Sequence, residues 1–80
     1  MNFEVIVMLG LLINETEQKE LEYMIKRELE ELLFDLEDDH IDEIVKEAME
    51  KRYHKLFKLL LRVASKEACL NYMPAKNMTR

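Results

Sequence analysis

Between Gly10 and Pro74 the chain contains neither a glycine nor a proline. A sheet protein of this length needs several tight turns, and those turns draw on residues that accept positive φ or pre-set φ for the bend. An all-β or α/β fold is therefore effectively excluded. Leu, Glu, Lys, Met and Arg dominate the same stretch, and all favour helix. With 49% of its 80 residues hydrophobic and 36% charged, the chain has the makings of one small core and no more. The expected fold is all-α: a single helical domain over residues 1–73 and a flexible tail over 74–80.

Two long amphipathic helices account for the middle of the chain. The first is expected to start at Asn14, with Glu17 three residues on completing a capping box, or at Thr16 as the alternative cap. Leu21, Met24, Ile25, Leu29, Leu32, Leu33 and Leu36 then gather on one side. The second is expected to be capped by Asp39, with a stripe of Ile41, Ile44, Val45, Ala48, Met49, Leu56, Leu59, Leu60 and Val63. If one unbroken helix ran through both, its two stripes would lie roughly 190° apart. A break near Asp38 and an antiparallel hairpin bring them together, whereas a rod buries both halves only in an oligomer. A hairpin turning near residue 39 sets facing residues at numbers that sum to about 80.

The ends are shorter. Phe3–Ile13 is apolar except for Glu4 and reads as a short helix capped by Asn2 and closed by Gly10, packed across the hairpin. Its eleven residues fall well below the roughly 20 that span a bilayer, and it lacks the basic start and small-residue cleavage site of a secretory signal. Ser65 is expected to cap a last short helix running to Met73, where Pro74 stops it. The single Cys69 can form no internal disulfide, which points to a reducing, cytoplasmic setting.

Few residues carry the marks of chemistry. The acidic run Asp35, Glu37, Asp38, Asp39, Asp42 and Glu43 invites a calcium loop, but the register starting at Asp35 puts His40 where glycine is needed and Lys46 where the bidentate glutamate belongs. The carboxylates suit a solvated helix end. His54 and Glu50 share a helical face, yet two ligands make no metal site, and no Glu-x-x-His pair occurs. With Gly10 as the sole glycine there is no phosphate-cradling loop. No enzyme activity, metal or cofactor is expected, and no motif is specific enough to name a family.

Charge is the remaining signal. Residues 1–50 carry 16 acidic and 4 basic side chains, whereas residues 51–80 carry 1 and 8. Lys51, Lys55, Lys58 and Arg62 form a basic strip with Tyr53 and Phe57 interleaved, a pattern found in nucleic-acid binders. Against that reading, hairpin register sets Lys58 and Arg62 alongside Glu22, Glu17 and Glu15, and the net charge of −5 repels phosphate. Arg52 falls near the centre of the second stripe, opposite Glu28, so a partly buried Glu28–Arg52 ion pair is expected to set the helix register, with Arg52→Ala costing about 3 kcal/mol. A second apolar face at the open end, made of Phe3, Ile6, Val7, Leu11, Leu12, Tyr23, Phe57 and Leu61 with Phe34 toward the tip, is the expected interface of a homodimer. Function is expected to be non-catalytic: a protein–protein interaction or regulatory module, with nucleic-acid binding as the alternative and no role in a membrane.

Overall fold

The computed structural model describes residues 7–75. Three helices appear in chain order, α1 (Glu15–Leu36), α2 (Glu43–Val63) and α3 (Lys66–Leu70), with no strand among the described residues. The first two pack together as a hairpin and α3 folds back onto α2. An all-α fold follows from the composition: nothing in α1 or α2 interrupts a helix, and each has an apolar stripe to bury.

Caps and charges decide where the helices stop. Asn14 is extended and its side-chain oxygen accepts from Glu17 N at 2.8 Å, while Glu17 Oε1 accepts from Asn14 N at 3.0 Å. Both halves of the expected capping box are thus present. At its other end α1 has no basic residue in the last turn. Asp35 and Glu37 there oppose the negative pole of the helix, and Glu43 favours the positive pole of α2. The chain breaks between them.

The start of α2 departs from expectation. Asp39 does not cap it; the cap position is Asp42, whose side chain makes no capping bond. Asp38 Oδ1 instead accepts from His40 N at 2.9 Å and approaches the ring Nδ1 at 3.1 Å. Such a side-chain bond two residues on bends the chain as an Asx turn, so Ile41 is left outside the helix. The His40 amide and ring also hold the Asp38 carboxyl below its ordinary range.

Register follows the hairpin geometry. At the open end Gln18 Nε2 donates to the Val63 carbonyl, and further along Arg52 lies against Glu28. The core comprises Ile25, Leu29 and Leu32 from α1, Tyr53 and Leu60 from α2, and Cys69 from α3. Cys69 is a buried free thiol.

The rotation of α2 differs from the stripe read in the sequence. Its fully buried residues are Tyr53 and Leu60, whereas Ile44, Val45, Ala48 and Leu59 are exposed. The stripe centre coincides with Arg52, and sinking that guanidinium into the seam would cost several kcal/mol of desolvation. Turning α2 until Tyr53 faces inward leaves Arg52 at the edge. The residues after Val63 make this possible: Ser65 Oγ caps α3 by accepting from Ala68 N at 3.2 Å, and Tyr53 Oη donates to the Tyr72 carbonyl at 2.7 Å. The phenol is thereby satisfied inside the core. Helix α3 ends at Leu70, earlier than expected, and a turn at Asn71 and Tyr72 delivers that carbonyl.

The expected amino-terminal helix is not seen over its described part. Residues 7–14 have no regular secondary structure and Gly10 has no positive φ. A helix of about eleven residues is marginal without packing, and the described part of this one stands in solvent, with Val7, Met8, Leu9, Leu11 and Leu12 all exposed. Phe3 and Ile6 lie outside the described residues, as do residues 76–80 of the expected tail.

Leu29 and Tyr53 anchor the core, and their variants test it. Leu29→Ala is expected to lose about 2–5 kcal/mol. Tyr53→Phe, which strands only the Tyr72 carbonyl, is expected to lose about 1–3 kcal/mol. Urea unfolding followed by circular dichroism measures both; a negligible loss in Tyr53→Phe would remove the hydrogen bond to Tyr72, and one in Leu29→Ala would place Leu29 outside the core.

Candidate interaction surface

The described surface divides into four regions that the sequence had singled out. The first is the amino-terminal run. Leu11, Leu12 and Ile13 border a groove with Thr16, Leu21 and Met24 on α1, and Leu9, Leu11 and Ile13 border another that reaches Leu59 and Val63 on α2. Leu12 is 99% exposed. This segment therefore lies along the open end of the hairpin without being covered by it.

The aromatic residues expected beside that run do not form one face. Tyr23 and Phe34 stand about three turns apart on the side of α1 turned away from α2, and both are exposed. Arg27 engages Tyr23, with Nη1 donating to the phenol oxygen at 3.4 Å and the guanidinium carbon 5.9 Å from the ring centroid. Phe57 instead packs against the core, and Leu61 is half exposed. The difference arises because α2 is rotated toward Tyr53, which carries Phe57 inward with it.

The third region is the basic strip. Lys51, Lys55, Lys58 and Arg62 are all exposed and enter no ion pair among the described residues. The neutralisation expected across the hairpin does not occur, because the carboxylates on α1 have local partners. Glu22 takes Lys26 at 2.6 Å and Gln18 at 3.1 Å, Glu17 closes the capping box, and Glu15 lies 3.9 Å from Lys19. Lys26 and Gln18 hold the Glu22 carboxyl below its ordinary range. Pairs one helical turn apart are already level with each other and need no tertiary alignment. Tyr53 and Phe57 are inside, so no aromatic ring stands among the four cations.

Arg52 Nε lies 3.4 Å from Glu28 Oε2, and the two side chains keep 59% and 39% of their exposure. The two residues meet where the hairpin arithmetic sets them. Their exposure, however, places the contact in the surface class rather than the partly buried one.

A fifth feature, at Tyr72, is not visible in the sequence. Tyr72 Oη donates to Glu30 Oε2 at 2.5 Å, while its carbonyl accepts from Tyr53. Tyr72 thus clasps α1 and α2 at once. The hydrogen bond to the Glu30 carboxylate, with burial second, pushes the Tyr72 phenol up to about 12 from an ordinary 10.0. Only the placement of Tyr53 in the core, with a donor needing an acceptor, could have signalled this. Glu50 and His54 each have an interaction partner, and no group of three metal-binding side chains occurs among the described residues. Nor is any helix among those residues long and apolar enough to cross a membrane.

No protein family, curated protein or solved structure matches this chain.

Two measurements check these assignments. Arg52→Ala is expected to cost less than about 1 kcal/mol, shrinking further in high salt, since exposed pairs contribute little. For Tyr72 the folded state holds the phenolic proton more tightly than the unfolded chain, so its stabilisation is complete below pH 10 and is lost as pH rises toward 12. Melting temperature followed from neutral to alkaline pH should fall less steeply in Tyr72→Phe over that window than in the wild type.

Proposed function

We propose that this protein is a non-catalytic, cytoplasmic interaction or regulatory module that docks another protein through its helical surface. One observation carries the proposal: Val7, Met8, Leu9, Leu11 and Leu12 are all exposed beside apolar grooves at the open end of the hairpin. Apolar side chains clustered in this way are unfavourable in water and are typical of surfaces that a partner covers. Residues 7–13, which have no regular secondary structure, would then take up helix against that partner, which supplies the packing a short helix lacks. The hairpin is the rigid base and the segment is the adaptable contact.

A second reading rests on the basic strip. Lys51, Lys55, Lys58 and Arg62 are open to an anionic partner, and a nucleic-acid backbone is one. The absence of a stacking aromatic among them and the net charge of −5 argue for the first reading.

The test is a variant carrying both Leu11→Asp and Leu12→Asp. Neither residue packs in the core, so its melting temperature should match the wild type to within a few degrees. Proteins retained by the wild type from the source cytoplasm should be lost with the variant. Retention of the wild type on heparin at physiological salt, abolished by Lys55→Glu with Lys58→Glu, would instead select the second reading.

A further inference from the structure

Glu28 and Glu30 are two residues apart on α1 and so point about 200° apart around it. The first reaches Arg52 and the second reaches Tyr72. They mark two opposite broad sides of the hairpin: the side with Glu30 is closed by α3 and the turn after it, and the side with Glu28 and Arg52 has no helix over it among the described residues. Helical spacing places Leu21 and Met24 in the row of Glu28, and Val45, Ala48, Leu56 and Leu59 in the row of Arg52. Leu21 and Leu56 are half-buried at the seam, whereas Met24, Val45 and Leu59 are 55%, 49% and 41% exposed. This is the flank of the α2 stripe that the rotation toward Tyr53 left unused. It is continuous with the grooves beside Leu9, Leu11 and Ile13, through Leu21 and Leu59.

The edges of this side carry opposite charge. Glu20 lies along the α1 edge, and Lys55 and Arg62 along the α2 edge, all three exposed and without an ion pair among the described residues. A uniformly acidic or basic partner satisfies one edge and is repelled by the other. A surface with the same two edges in reversed order satisfies both, and the chain itself presents one. We infer that a second copy docks on this open side, completing a symmetric four-helix bundle in which each α1 lies against the partner's α2.

Symmetry makes the inference specific. A two-fold axis parallel to the helices keeps every residue at its own height, so a residue of α1 meets the partner's α2 at the position its own hairpin sets opposite. Glu20 then lies near Arg62 of the partner subunit, and Glu28 near Arg52 of the partner subunit. The other face-to-face arrangement stacks α1 on α1 and α2 on α2, setting like charges together. This inference rests on the interaction reading above, and it brings the exposed amino-terminal leucines to the margin of the same interface.

Sedimentation equilibrium at micromolar concentration, with circular dichroism melts to establish that each variant folds, tests it. The wild type should be a dimer. Leu59→Glu and Met24→Glu should weaken it about a hundredfold or more, because each buries a charge in the interface twice over, and Phe34→Glu, on the outer side of α1, should not. Glu20→Lys alone and Arg62→Glu alone should each weaken it roughly tenfold, while an equimolar mixture of the two variants should recover a heterodimer, since each then offers the opposite charge to the other. A wild-type monomer overturns the inference, as does a dimer broken by Phe34→Glu but not Leu59→Glu, or a mixture that recovers nothing. If the wild type is monomeric yet retains a protein that the Leu11→Asp, Leu12→Asp variant loses, the interaction reading stands and the second copy is removed. If it is monomeric and retains nothing, both fall.

Discussion

The hydrogen bond from Tyr53 to the carbonyl of Tyr72 is the contact on which the rest of the arrangement depends. A tyrosine ring brings a large apolar area to a small core, but its hydroxyl must find a partner before the ring can be sealed from water. In a bare two-helix hairpin no free backbone acceptor lies level with Tyr53, because carbonyls in the middle of a helix are already engaged and only those of its last turn are open. The acceptor comes from the turn after α3, so burial of Tyr53 and the folding back of residues 65–72 are one event. Tyr72 then reaches Glu30 with its own hydroxyl, and three helices are tied through two adjacent phenols.

That contact has a cost on the other side of the molecule. Facing Tyr53 inward turns the apolar flank of α2 away from α1, leaving Val45, Ala48 and Leu59 in solvent and Arg52 at the margin. The arginine gains, since it keeps its hydration while still meeting Glu28. The apolar flank does not, and its exposure is the physical basis of both the proposed docking role and the proposed self-association. Charge reinforces the asymmetry. Glu15, Glu17 and Glu22, toward the open end of α1, are engaged by lysines and amides of the same helix or its cap, which leaves the cations of α2 available to another molecule.

The acidic tip between the helices has a simpler role. Asp35 and Glu37 oppose the end of α1, and Asp38 captures the His40 amide to make the bend. The break is thus written in electrostatics and in one side-chain hydrogen bond, with no glycine needed to provide it.

Local chemistry was legible from residue order alone. The capping box at Asn14, the Ser65 cap, the break after Leu36 and the meeting of Glu28 with Arg52 all depend on residues close in sequence or on hairpin arithmetic that any antiparallel pair obeys. What residue order could not decide was how far α2 turns about its own axis. Periodicity weighs each apolar residue alone and located the stripe at Arg52, whereas the fold weighs the desolvation of that charge against the hydrogen bond offered to Tyr53 by a carbonyl nineteen residues away. For the same reason the amino-terminal run reads as a helix and is not one over its described part: its propensity is local, but the packing that would stabilise a helix so short is not. The all-α hairpin was therefore determined by the sequence itself, and only the tertiary structure decided which face of that hairpin closed and which stayed open.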